Sequence, residues 1–301
     1  MIKKVFNLLK ILRKLSVSGA VDVIDEVKTI PKVLKFIFYV FSLGKKNEIS
    51  DKSKTSGEKL CEALQSMGTT FVKLGQFLAT RPDIIGDEVA RKLEKLQDKL
   101  PAFSTYEAKE VLKKEIGQKL YENIISFKDP VAAASIAQVH FVKIKIDSSQ
   151  KELAVKILRP NIYKIVNEEL DALMFLAFLI ENLFKSTKRL KLVEVIYLLK
   201  EITNVEMDLR FEAAAASELY ENTKNDKFIK VPKIYWNYTS KQILTLDKID
   251  AIPIRDLESL KKSNIDLEKL SKDLIQLFLK QAVRDGFFHA DIHQGNLFVD
   301  L

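Results

Sequence analysis

His289-Ala290-Asp291-Ile292-His293-Gln294-Gly295-Asn296 governs how the rest of this 301-residue chain is read, because it sets a carboxylate and a carboxamide five residues apart. Phosphoryl transfer uses such a pair. One carboxylate orients or accepts the proton of the incoming nucleophile, while an amide oxygen a short loop away holds a metal ion on the nucleotide phosphates. Asp291 suits the first, catalytic role and Asn296 the second, as metal ligand. Two other readings stand beside this one: His289, Asp291 and His293 alternate and could ligate a metal from one face of a strand, or the run is a solvated loop without chemistry.

A phosphoryl-transfer loop of protein-kinase type predicts, upstream, a strand whose Lys pairs the nucleotide phosphates, and Glu152-Leu153-Ala154-Val155-Lys156-Ile157-Leu158 supplies one. Alternation points Lys156 to the side of Ala154. Taken alone, a Lys in an apolar strand more often snorkels at an edge, so Lys156 gains weight from its order and distance relative to Asp291. Before it, where a Gly-rich hairpin would let backbone N–H groups approach phosphates closely, stands Pro130-Val131-Ala132-Ala133-Ala134-Ser135-Ile136-Ala137-Gln138-Val139-His140. Ala replaces Gly throughout. Each Cβ restricts φ and stiffens the turn, although helix propensity alone reads the stretch as an Ala-rich helix start. In protein kinases the loop reads His-Arg-Asp; here Ala290 takes the Arg place and His293 a Lys place. The loop is therefore kinase-like without the Arg that reads a phosphorylated activation loop.

Nearer the N-terminus, Leu60, Leu64, Met67, Phe71 and Leu74 recur at spacings of three and four and form an apolar helical stripe. Lys73 and Gln76 lie three apart on that helix, near one face. By themselves they read as a solvated flank.

The Ala-rich loop, the Ala-Val-Lys strand and His-Ala-Asp-Ile-His-Gln-Gly-Asn together resemble the UbiB family of atypical protein-kinase-like proteins. Phe71-Val72-Lys73-Leu74-Gly75-Gln76 is similar to that family's Lys-x-Gly-Gln motif, and Val205-Glu206-Met207-Asp208-Leu209-Arg210-Phe211-Glu212-Ala213 to its Glu-x-Asp motif with a following Glu. The resemblance runs from about Gly57 to the last residue. It implies an α+β, protein-kinase-like fold with an N-terminal helical extension and an incomplete large lobe. It also implies that the extension, carrying Lys73 and Gln76, covers the nucleotide cleft and excludes a protein substrate. Glu212 would pair Lys156; Glu206 and Asp208 would face the extension and meet Lys73 as a gate. Ala132, Ala133, Ala134, Ser135, Lys156, Leu246 and Ile249 would contact ATP or ADP, and Asn296 would hold Mg2+. In the hinge, Leu246 to Ile254, the family usually shows a Trp and a Gly where Lys248 and Ala251 stand. A plain alternative is that the three acids Glu206, Asp208 and Glu212 decorate an exposed helix.

Composition permits a folded enzyme: 47% hydrophobic and 30% charged residues allow a sizeable core and exclude intrinsic disorder. The sole cysteine, Cys61, rules out an intramolecular disulfide framework and suits a reducing compartment. A net charge of +8 favours anionic partners, yet without aromatic-basic interleaving or zinc spacing it does not point to nucleic acid. In Met1 to Leu15, Ile2, Val5, Phe6, Leu8, Leu9 and Leu12 form an apolar face flanked by Lys3, Lys4, Lys10, Arg13 and Lys14, as in a basic helix at an anionic membrane surface. The alternative is a helix packed on the domain. Basic residues interrupt the run, which argues against a secretory signal, and the apolar stretches Val33 to Leu43 and Ala172 to Ile180 fall short of the roughly 18 residues a spanning helix needs.

The expected organisation is residues 1–50 as a basic amphipathic N-terminus, 51–128 as the helical extension, 129–245 as a kinase-like small lobe with a helical insert, and 246–301 as hinge and start of the large lobe. Strands are expected at Ala137 to Ile146, Glu152 to Leu158, Val231 to Trp236 and Gln242 to Leu246. No second metal-binding Asp follows Asn296 in a suitable turn, and Asp300 stands too close to return to the phosphates, so the chain is expected to be part of a longer protein with weak or absent Mg2+-dependent turnover alone. The resemblance implies a kinase or ATPase supporting ubiquinone biosynthesis, linked to the polyprenylphenol hydroxylation step, peripheral on the cytoplasmic face of a bacterial inner membrane or the matrix side of a mitochondrial one. Its partners would be nucleotide, membrane surface, lipid-like quinone precursors and other ubiquinone-biosynthesis proteins. The alternatives are a small-molecule kinase of aminoglycoside or choline kinase type, and a non-catalytic lipid-binding scaffold.

Overall fold

Helical periodicity dominates up to Tyr121, and strands begin at Ile124. The computed structural model describes residues 2–17, 55–96, 100–290, 292 and 294–300. The apolar stretch Val33 to Leu43 and the polar run Gly44 to Lys54 lie outside them. In chain order the main elements are α1 (Ile2–Val17), α2 (Ser56–Met67), α3 (Thr69–Ala79), α4 (Asp87–Leu93), α5 (Thr105–Ile116), β1 (Ile124–Ala133), β2 (Ala137–Ile146), β3 (Ser149–Leu158), α6 (Ile162–Leu183), α7 (Leu192–Glu206), α8 (Leu209–Thr223), β4 (Ile243–Asp247), β5 (Ile252–Pro253), α9 (Leu267–Leu279) and β6 (Phe298–Val299), with shorter helical turns between. They form two compact units. The first comprises Met1–Phe103, Ala133–Ala137 and Leu158–Met207; the second comprises Ser104–Ala132, Gln138–Ile157 and Asp208–Leu301.

In the first unit α2 starts at a capping box, Thr55 accepting from the Glu58 N–H while Glu58 accepts from the Thr55 N–H, which satisfies two amides the helix cannot. Gly68 at φ +101° ends α2 and opens α3, a conformation open to a residue without Cβ. The predicted stripe is therefore split over two helices. Of it Leu64, Met67 and Phe71 are buried and Leu60 and Leu74 partly so, and Val72 beside Phe71 is buried as well. Gly75 has a packing reason: a Cβ there would sit 2.4 Å from Leu96 Cδ1 and 2.8 Å from Leu64 Cδ1. Helix α6 buries Val166, Leu170, Ala172, Leu173 and Ala177 and packs against α7 on one side and α1 on another. Part of the apolar face of α1 is used in this packing, with Leu8, Ile11 and Leu12 buried.

In the second unit the strands run in the order β1-β2-β3-β4, with β3 antiparallel to β4 and Lys156 opposite Leu244. Helix α8 packs on β4. Two expectations need correction. Strand β1 begins at Ile124, inside the stretch assigned to the helical extension. The strand expected at Val231 to Trp236 is reduced to an isolated bridge, Ile234 to Leu246, because Pro232 has no N–H to donate and a 3-10 turn starts at Trp236.

Candidate nucleotide site

In the second unit Val155 and Ile157 are buried and fix β3, so that Lys156 emerges between them at a set height. Its Nζ lies 2.7 Å from Glu212 Oε2, with the two side chains 26% and 50% exposed. Glu212 occupies the first turn of α8, where the positive end of the helix dipole favours a carboxylate. The start of α8 is fixed twice. Asp208 caps it by accepting from the Arg210 N–H, and the Leu209 N–H donates to the Lys241 carbonyl at 3.0 Å. A lysine braced in this way presents an oriented ammonium, the group that phosphoryl-transfer sites place on phosphate oxygens.

Leu246 pairs with Ala154 at the far end of the same ladder, and Ile249 follows it exposed. Between them Lys248, in the place of the expected Trp, lies 3.1 Å from Glu152 and 2.7 Å from Asp250, with its ammonium 5.1 Å from the Phe141 ring centre. Asp250, and then Glu152, push the Lys248 pKa upward. Past the hinge, β5 pairs with β6, Ile252 opposite Val299, and the Ile254 N–H donates to the Leu297 carbonyl at 3.0 Å. These bonds tie the segment after the hinge to the segment after Asn296, which stands exposed in the turn 294–296.

Asp291 and His293 lie outside the described residues. The entry to their loop is held by Gln281, buried in the π-helix Lys280–Asp285: its Oε1 accepts from the His289 N–H at 3.1 Å and its carbonyl from the Phe287 N–H at 3.2 Å. Asp226 anchors that π-helix through Arg284 at 2.8 Å and Lys280 at 3.2 Å, and Arg284 foremost holds the Asp226 carboxyl below its usual range. A pocket of about 360 Å³ beside the loop is lined mainly by apolar side chains, among them Leu277, Phe278, Phe288 and Leu297, together with His289. Among the described residues no group of three or more His, Cys, Asp or Glu could hold a metal.

The first unit holds the tip of the alanine hairpin. Its stretch is strand and turn, so the helix reading falls: the Ala134 N–H donates to the Ala137 carbonyl at 2.8 Å. Arg159, three residues past Lys156, clamps this tip. Its guanidinium donates to the carbonyls of Ser135, Ala134 and Pro101, each at 2.8 Å, its own N–H donates to the Ile136 carbonyl at 2.8 Å, and it lies over the Phe103 ring. From the first residue of α3, the Thr69 hydroxyl also donates to the Ser135 carbonyl, at 2.6 Å. Ser135 itself is completely buried, so its part lies in that carbonyl and not in a hydroxyl offered to nucleotide. Ala132 is exposed, and Ala133 and Ala134 are partly so.

On the same helix α3, Lys73 Nζ lies 2.8 Å from Glu206 Oε2 at the end of α7, with Lys73 only 16% exposed. Gln76 is half-buried one turn on. The structure gives Asp208 other work than the expected gate: its carboxylate takes Arg210 at 2.9 and 2.6 Å, which holds it below the usual carboxylate range. The acids Glu206, Asp208 and Glu212 thus have distinct partners and do not merely decorate a helix. Sequence reasoning missed Arg159 and Gln281; the Arg-Pro pair that ends β3 was the one available signal for the first.

Residues 95–301 match the ABC1 atypical kinase-like domain. The chain belongs to the ABC1 atypical kinase-like family. Its fold is accordingly α+β and protein-kinase-like, with helices preceding the sheet. The resemblance to UbiB is borne out by ABC1 relatives called "Probable protein kinase UbiB": one from Marinobacter nauticus is 39% identical over 81% of this chain and 44% of its own length, and one from Pseudomonas paraeruginosa is 37% identical over 81% and 46%. The chain therefore spans less than half the length of these curated ABC1 relatives. A solved chain described as Rv3197 in complex with erythromycin, from Mycobacterium tuberculosis, is 25% identical with a TM-score of 0.46, over 78% of this chain and 58% of that one.

Proposed function

We propose that this chain is the nucleotide-handling part of a UbiB-type atypical kinase or ATPase that supports ubiquinone biosynthesis. The observation that carries the reading is the 2.7 Å Lys156–Glu212 ion pair in a chain of the ABC1 family, on a strand two places from the hinge strand's Leu246 partner. Lys156 would hold nucleotide phosphates, braced by Glu212. Ala132 to Ala134 would lie along them and Leu246 and Ile249 against the base. Asn296 offers one carboxamide oxygen, a hard donor suited to Mg2+, which keeps several waters and fills its shell with phosphate oxygens. Bound there, the metal would neutralise phosphate charge, and Asp291 would orient a nucleophile or water. Lys73, Gln76 and Glu206 would gate access, limiting substrates to small or lipid-like molecules such as quinone precursors. The aminoglycoside-type reading shares only the loop pattern and has no place for Lys73 and Gln76.

Among the described residues no helix is long and apolar enough to cross a membrane. The proposed location is the cytoplasmic face of a bacterial inner membrane, which these residues would meet peripherally. Calorimetric titration of ADP and ATP, with and without Mg2+, tests the nucleotide reading. Micromolar binding that strengthens with Mg2+, and weakens at least tenfold in Lys156→Met, is expected. Heat independent of both would sink it.

A further inference from the structure

Among the described side chains of the N-terminal helix, Leu8, Ile11 and Leu12 are buried in the first unit while Phe6 and Leu9 stand exposed, so much of the face its sequence suggested for a bilayer is already covered. Exposed apolar side chains concentrate elsewhere in that unit, on the antiparallel pair α6–α7. At the end of α6, Phe178 is 55% and Leu183 70% exposed; at the start of α7, Tyr197 is 59% and Leu198 49%. A helical pair that hides one side in a core does not ordinarily leave four large side chains this open near one turn.

Between the two helices the 3-10 turn Lys185–Leu190 and the residue after it carry Lys185, Lys188, Arg189 and Lys191, all exposed. The acids nearest in sequence are already engaged. Glu181 accepts from the Val193 N–H at 3.0 Å, and Glu194 takes Lys191 at 3.0 Å. Asp83, which also feels Arg189, is paired with Arg81 at 2.7 Å, so the four basic residues outnumber the two acids Glu181 and Glu194 and positive charge is left in surplus at the turn. Apolar side chains bordered by such a turn fit an interface with hydrocarbon below and anionic headgroups above. A protein partner would more often meet an apolar centre with a mixed polar edge.

We propose that the α6–α7 turn, and not α1, is the surface by which this protein sits on an anionic lipid bilayer, with Phe178 and Leu183 dipping into the interface and Lys185, Lys188 and Arg189 against headgroups. This deepens the peripheral attachment proposed above by naming its surface. The test is sedimentation of the full chain with phosphatidylcholine vesicles, with and without phosphatidylglycerol. The turn variant Lys185→Glu/Lys188→Glu/Arg189→Glu should weaken binding to the anionic vesicles roughly 100-fold, each basic residue contributing about tenfold or less. Phe178→Ser/Leu183→Ser should weaken it about tenfold or more, and the exposed α1 variant Lys10→Glu/Arg13→Glu/Lys14→Glu should weaken it less than either. Turn variants that bind like the wild type, or an α1 variant that alone abolishes binding, overturn the surface while leaving peripheral attachment intact. A wild-type chain that ignores both vesicles overturns both.

Discussion

Replacing Arg159 by Met tests the clamp on the alanine hairpin. The side chain keeps its apolar stem but loses three 2.8 Å donations to backbone carbonyls, while the Thr69 hydroxyl still serves Ser135. A hydrogen bond from a charged donor is worth roughly 1.5–3 kcal/mol, but three from one guanidinium are not additive, and the carbonyls of the partly exposed Ala134 and the exposed Pro101 recover water while that of buried Ser135 keeps Thr69. A local cost of about 2–4 kcal/mol follows. Since about 1.4 kcal/mol is a factor of ten, amide exchange at Ala134, whose N–H is bonded to the Ala137 carbonyl, should quicken about 30- to 1000-fold. Arg159→Lys, restoring one donor, should recover part of this protection. Nucleotide affinity should fall in the same order as protection is lost. Unchanged exchange at Ala134 in Arg159→Met would refute the clamp, and restored affinity without restored protection would refute its link to nucleotide.

Three further outcomes follow from the geometry. A double-mutant cycle of Lys73→Met and Glu206→Gln, read by urea unfolding, should show coupling on the order of 1 kcal/mol, because the pair is partly screened from solvent; zero coupling would mean the 2.8 Å pair contributes nothing in solution. The Glu58 carboxyl is held at about 2, chiefly by Lys92 and then by the Thr55 N–H and hydroxyl. A depressed carboxylate stabilises above its unfolded value of 4.5 and loses that contribution as pH falls toward 2, so the gap in unfolding midpoint between wild type and Glu58→Gln should be full at pH 6 and close on acidification. A gap that widens on acidification would reverse the assigned sign. Gln281→Leu removes the acceptor of the His289 N–H and should speed exchange at His289 about tenfold, since one neutral bond is worth about 1 kcal/mol; an unaltered rate would show that the loop is held by other means.

What the sequence disclosed was whatever depends on local pattern and order. Alternation in 152–158 marked β3 and its Lys, and the resemblance to the UbiB Glu-x-Asp motif singled out Glu206, Asp208 and Glu212, of which Glu212 lies on Lys156 and Glu206 on Lys73. What it hid depends on partners distant in sequence. Arg159 acts on carbonyls 24 and 25 residues upstream, and no side-chain pattern announces which carbonyls a turn will offer. Gly75 looked like part of a motif and also lets Leu64 and Leu96 pack closely over it. For α1 the periodicity is the same whether the apolar face meets a bilayer or α6, so amphipathicity alone could not separate the two. Asp208 illustrates a third kind of miss: its motif marked it for a gate, yet a helix start two residues away supplied a stronger local partner in Arg210.

The most direct measurement is affinity labelling with adenosine carrying a sulfonyl fluoride where the phosphates would lie, followed by peptide mapping. Attachment should fall on Lys156 and be prevented by ATP with Mg2+. Labelling spread over surface lysines, or undiminished by ATP, would contradict a nucleotide site at Lys156 and Glu212.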